Sequence, residues 1–201
     1  MSANINVGNN IETYIYLSVF LIGSILLYLF LRINWKSYGL LFILATVIGN
    51  LLCFIFVQLG FYSYPYVILP KFENMPYTAI SLSFPIYVLI LVRYSPKRWP
   101  WKIPFYWAFI NLGLLSEYYA LHYTSIIKYG FEWDTWDSYT WWWIYFLLFE
   151  WIGGQLIPDK DRKPLHIKHL HYGKLGWGLI HLILITTIFL AGYYVGTLTK
   201  K

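Results

Sequence analysis

Arg93-Tyr94-Ser95-Pro96-Lys97-Arg98-Trp99-Pro100-Trp101-Lys102 sets four basic residues between two apolar stretches, residues 78–92 and 103–127. The pattern repeats along the chain. About six apolar stretches are legible, at 14–31, 38–61, 78–92, 103–127, 139–157 and 175–195. Arg32 and Lys36 occupy the first gap, and Lys160, Arg162, Lys163, Lys168 and Lys174 the fifth. These three gaps hold 11 of the 15 Lys and Arg, whereas Lys71, Lys128, Lys200 and Lys201 are all that remain elsewhere. Short loops rich in Lys and Arg stay on the cytoplasmic side of a membrane. The spacing therefore predicts an all-α, polytopic bundle of about six transmembrane helices, with the N-terminus and the C-terminus outside.

Composition agrees. The chain is 59% hydrophobic and 12% charged, against ~25% charged residues in a soluble domain. A helix needs ~20 mostly apolar residues to cross the hydrocarbon core, so the stretch 78–92 is the shortest candidate. Residues 1–12 carry no Lys or Arg, and no small-residue cleavage site follows the first stretch, so no cleavable signal peptide is expected. The formal charge of +6 sits in loops between spans. It points to anionic lipid headgroups and not to nucleic acid. Cys53 is the only cysteine, which excludes an intrachain disulfide. The 201 residues form one integral membrane domain without a dividing linker or a convincing repeat.

Aromatic residues make up 22% of the chain and gather near the span ends, as an aromatic belt requires. In the outer loop 129–139, Glu132, Asp134 and Asp137 alternate with Phe131, Trp133, Trp136 and Tyr139. The belt is the simpler reading, although rings beside carboxylates also suit an organic cation or a sugar. Ala45, Gly49 and Cys53 form a small-residue stripe suited to close helix contact, and Gly192 and Gly196 form another.

Glu117 and Glu150 carry the sharpest chemistry. A charge deep in a span costs at least ~2.5 kcal/mol, so such residues seldom face lipid. Counted from the ends of the apolar stretches, Glu117 lies ~21 Å from the inner edge and Glu150 ~16 Å from the outer edge. Both then fall near mid-membrane on consecutive antiparallel helices. Gly113, Glu117, Ala120 and Thr124 share a helical face, and Gly153 and Gly154 follow Glu150. Two carboxyls in one apolar site cannot both ionise cheaply. The expected site binds a proton, cation or small ligand at Glu117 and Glu150, with Asn111 and Gln155 in support and a polar pocket between helices four, five and six. The alternative is that the carboxyls hydrogen-bond and hold helices together.

His166, His169 and His171 are the only histidine cluster and the candidates for a metal. Their spacing matches no strong metal motif and lysines surround them, so a solvated loop is the simpler reading. His122 and His181 lie too far apart along their spans to share one haem. No metal, cofactor or catalytic residue is expected, and no nucleophile, P-loop, HExxH or GxGxxG motif is present.

Residues 75–195 resemble a family of small multi-pass membrane proteins of endospore-forming Gram-positive bacteria. The resemblance rests on Arg93-Tyr94-Ser95-Pro96-Lys97, on Glu117, on Tyr129-Gly130-Phe131 with Trp133 and Trp136, and on Leu170-His171-Tyr172-Gly173-Lys174. Residues 159–164 are longer and more charged than its pattern. The resemblance implies a bacterial plasma membrane and marks Glu117, but that family has no assigned activity to transfer. Three functions follow as expectations: a membrane binding or transport-like protein, a non-catalytic accessory or assembly protein with a protein partner, and a small lipid-modifying enzyme with a glutamate as acid or base.

Overall fold

A computed structural model describes residues 6–70, 74–165 and 174–198. Within them lie six α-helices: α1 (Ile11–Leu31), α2 (Trp35–Gln58), α3 (Tyr77–Tyr94), α4 (Trp99–Tyr123), α5 (Thr135–Leu156) and α6 (Lys174–Leu198). Three of them, α1, α2 and α3, are long and apolar enough to cross a membrane. The shortest expected span is therefore a full helix, extended by Tyr77 at one end and by Arg93 and Tyr94 at the other.

Local chemistry sets the helix ends. Asn10 and Asn34 accept bonds from the amides of Thr13 and Ser37 at 2.8 and 3.2 Å, and Asp134 forms a capping box with Asp137, each satisfying amides that a helix leaves open. Ser95 and Ile157 adopt extended backbone before Pro96 and Pro158, because a residue ahead of proline disfavours the helical region. Two expected boundaries shift. Residues 59–61 and 124–127 are apolar yet leave their helices. They lead into two short strands, β1 (Tyr62–Ser63) and β2 (Lys128–Tyr129), which pair antiparallel with Tyr62 opposite Tyr129.

Helix α3 is central, packing on α1, α2 and α5, while α4 packs on α5. The core joins Tyr38, Leu41 and Ala45 of α2 to Val88, Leu89 and Val92 of α3 and to Phe146 and Phe149 of α5. Pro85 cannot donate to the Ser81 carbonyl one turn back. Thr46 of α2 donates to that carbonyl instead, at 3.3 Å, and Asn50 bonds the Ser81 hydroxyl at 2.9 Å. The expected stripe Ala45, Gly49 and Cys53 is buried in this contact. The outer faces are apolar and open: Leu21, Ile43, Leu115 and Ile188 are 62%, 58%, 51% and 71% exposed. A surface of that kind marks an apolar surrounding and not water.

The basic gaps meet at one end of the bundle. Asn34 donates to the Asp161 carboxylate at 2.8 Å, Arg93 to the Asp161 carbonyl at 2.7 Å, and the Lys163 amide to the Arg93 carbonyl at 2.8 Å. At the opposite end, the Ser125 amide donates to Glu12 at 2.9 Å and Tyr66 contacts Thr13 at 2.7 Å.

The tightest helix contact is that of α3 with α5 at Gly153. A Cβ there would lie 2.5 and 2.6 Å from the two methyl carbons of Val92, whereas a Cβ at Gly154 meets only Arg162 Nη2 at 3.8 Å. Overpacking of this kind costs ~1–3 kcal/mol. Gly153→Ala is expected to lower the unfolding midpoint in detergent by that equivalent, and Gly154→Ala to leave it within ~0.5 kcal/mol; thermal unfolding of the pair measures the difference.

Candidate functional site

Glu117 and Glu150 both lie at the α4–α5 contact, but at opposite ends of it. Glu117 meets the first turns of α5: Ser138 Oγ donates to Oε1 at 2.7 Å and Trp142 Nε1 to Oε2 at 3.3 Å. Glu150, twelve residues after Ser138, meets the first turns of α4. Ser95 Oγ donates to its Oε1 at 3.1 Å, Tyr106 donates to Oε2 at 2.6 Å, and Lys102 pairs with Oε1. Twelve residues of α5 separate the two levels by ~18 Å. The expected shared site is thereby corrected to two separate ones. The reason is register. Both helices begin about a turn before the apolar stretches at 103 and 139, α4 at Trp99 and α5 at Thr135, so each acid lies further from the start of its own helix, and Glu117 sits near the α4 C-terminus, level with the start of α5.

The supporting amides do not join either carboxylate. Asn111 bonds the Trp107 carbonyl of its own helix at 2.8 Å, and Gln155 is exposed. His122 is exposed and stacks on Tyr118 at 4.1 Å. His166, His169 and His171 lie outside the described residues, and no group of metal-binding residues occurs among those described.

Glu150 is buried, at 6% exposure. Its partners come from the end of α3 and the start of α4, so one carboxylate ties α3, α4 and α5 together. Lys102, counted in the sequence as a loop charge, stands on α4 one turn before Tyr106 and faces inward. The side chains of Lys102 and Glu150 are 14% and 7% exposed. Burial at that level makes each charge depend on the other.

Glu117 borders a partly open cavity of about 260 Å³ lined by α2, α3, α4 and α5, with Tyr62 of β1, Ile127 and Trp133 at its outer end. On this measure one water needs only ~10–15 Å³. The expected face supplies Gly113, Glu117 and Ala120 from α4. Aromatic rings form much of the wall, including Phe56, Phe84, Tyr87, Trp133, Trp141 and Trp142. The pocket expected between α4, α5 and α6 is instead a smaller apolar one, about 120 Å³, lined by Trp107, Trp143 and Ile183 among others and by no charged residue.

The outer loop takes part in an unexpected way. Its acids do not form the cage: Asp134 and Asp137 cap α5. One of its rings, Trp133, lines the cavity, and the carboxylate it approaches is Glu117. Trp133 Nε1 donates to Ser138 Oγ at 3.0 Å, and Ser138 donates onward to Glu117. Tyr129 donates to Glu117 Oε1 at 2.9 Å. Burial, and then the Glu117 charge, hold the Tyr129 phenol above its usual range, so it remains a donor. Three donors thus converge on Glu117, and Oε2 carries only the longest of these bonds. The sequence concealed Tyr129, Ser138, Trp133 and Trp142 as partners, because only the α4–α5 register brings them to Glu117.

Removing Lys102 strands a buried carboxylate, a loss of ~3–5 kcal/mol. Lys102→Met is expected to destabilise the protein by about that amount, while Lys102→Met with Glu150→Gln recovers most of it, since Gln keeps a hydrogen-bonding group without the charge. Unfolding of the wild type, both single variants and the double variant gives the coupling. No family model, curated protein or solved structure matches this chain.

Proposed function

We propose that the protein is a six-span component of a bacterial plasma membrane, with both termini outside, that binds a small and largely apolar molecule in the cavity beside Glu117. The observation that carries this reading is the cavity itself. A concave, mainly apolar space with a few convergent polar groups is the usual form of a small-molecule site. Here the polar group is a carboxylate already positioned by Tyr129, Ser138 and Trp142.

The topology is supported by the gathering of Arg32, Lys36, Arg93, Lys102 and Arg162 towards one end. On this reading that end is cytoplasmic and meets anionic lipid. Single cysteines test the orientation in a Cys53→Ser background. Lys128→Cys should react in intact cells with a membrane-impermeant maleimide, and Lys97→Cys only after permeabilisation. The reverse order of labelling defeats the proposed orientation.

The non-catalytic alternative is favoured by one observation, at the other carboxylate. Glu150 is engaged by three partners from two neighbouring segments, the arrangement of a structural tie, and we assign it no ligand. Native mass spectrometry from mild detergent separates the readings for Glu117. A small molecule retained by the wild type and lost in Ala120→Phe, a variant that fills the cavity wall, is the expected result. A wild type that retains nothing but bulk lipid and detergent, with unchanged spectra for Ala120→Phe, counts against a binding cavity.

A further inference from the structure

We infer that the molecule bound beside Glu117 is an alkylammonium ion that enters sideways between α3 and α4. This rests on the cavity being a binding site and adds the chemical class of its occupant. The inference starts from charge. Among the residues lining the cavity, Glu117 is the one with a formal charge, and no Lys, Arg or His stands with it. A carboxylate facing an apolar space without a countercharge is costly. Its three donors are neutral, so they ease its desolvation without balancing its charge. A cation in the cavity supplies that balance, whereas an anion meets repulsion from Glu117 and gains nothing from the rings.

The walls select the kind of cation. A hard metal ion needs six or more oxygen ligands, or water in their place, and this wall is mostly hydrocarbon and ring. An ammonium ion carrying an alkyl group suits both parts. Its charged head is attracted to the faces of Trp and Tyr rings, and its chain fills apolar space. Trp133, Trp141 and Trp142 approach from the α5 side, and Phe84 and Tyr87 from α3. Glu117 Oε2, which holds only the 3.3 Å bond from Trp142, is the oxygen with capacity for another donor. The head belongs there.

The route follows from the packing. Helices α3 and α4 are consecutive, yet each rests chiefly on other helices, and they approach one another at Tyr87 and Phe109, with ring centroids 6.4 Å apart. Towards the outer end the facing residues are small: Ala79 and Ser83 on α3, Ser116 and Ala120 on α4. Ser116 both lines the cavity and is exposed on the outside of the bundle. Beside it Leu112 and Leu115 are 49% and 51% exposed. The opening is therefore bordered by apolar side chains, and a molecule using it must be stable among them. That requirement selects an ammonium ion with a hydrocarbon body over a small hydrated one.

The test uses the full chain in nanodiscs of zwitterionic lipid, with empty nanodiscs subtracted, and two probes of equal length, octylammonium and 1-octanol. Calorimetric titration is expected to show octylammonium bound about tenfold or more tightly than octanol, as paired charge and cation–π attraction require. Glu117→Gln should remove that preference, and Ala120→Phe should abolish binding of both. Equal affinity of the two probes for the wild type, or tighter octanol, overturns the ammonium assignment but leaves the cavity reading intact. Binding of neither probe to the wild type overturns both. The wild-type comparison decides the matter even where Glu117→Gln fails to fold.

Discussion

The α4–α5 hairpin depends on one constraint: a carboxylate held among apolar side chains must be met by donors. The hairpin satisfies it at both ends. Glu150 near the end of α5 is met by Lys102 and Tyr106 near the start of α4, and Glu117 near the end of α4 is met by Ser138 and Trp142 near the start of α5. A slip of one turn would leave both acids unmet at once, each at a cost of several kcal/mol. Hydrophobic packing alone allows such slips, because one apolar side chain replaces another with little loss. The two acids are thus register pins, and the hairpin register in turn decides which residues surround the cavity.

The two ends of the hairpin are not equivalent. At the Glu150 end the space is filled, and the carboxylate is directly paired with a cation. At the Glu117 end the carboxylate is met by neutral donors and borders empty volume. The difference traces to residue size and helix length. Gly153 brings α5 against Val92 of α3 near the Glu150 level. Near the Glu117 level, Gly49, Gly113 and Ala120 border the cavity, and α4 stops at Tyr123. A structural charge is one whose balance is complete within the fold. By that criterion Glu150 is structural, and Glu117 is incomplete.

The helices were legible because hydropathy and charge are properties of single residues summed along the chain. The stretch 78–92 was the hardest of the six, and it is a helix whose proline is accommodated by Thr46, a compensation visible only in three dimensions. The face Gly113, Glu117 and Ala120 was legible for the same additive reason. The shared Glu117–Glu150 site was not a sound reading, because it inferred depth from the ends of apolar runs. Thr124 and Ser125 leave the helix, and the apolar Ile127 that follows is buried with Phe56 and Tyr62, outside any helix. Apolar character reports burial and does not distinguish a helix from a lid. Lys102 misled in the opposite sense. It lies in a basic gap, so it reads as a loop charge, while its place in the first turns of α4 points it at Glu150.

The lid has a further consequence for the cavity. Tyr129 and Trp133 belong to the segment between α4 and α5, and both reach Glu117, one directly and one through Ser138. The segment that helps hold the carboxylate therefore also supplies Trp133 to the cavity's outer end. On the proposed reading, a cation at Glu117 shares its field with Tyr129, whose phenol is disfavoured from ionising by burial and then by that same charge. Neutralising the carboxylate weakens its hold on Tyr129 and Ser138, and with it the attachment of the lid. On the proposed reading, cation binding and the attachment of this segment are linked through one pair of oxygens, and each alters the free energy of the other by the same amount.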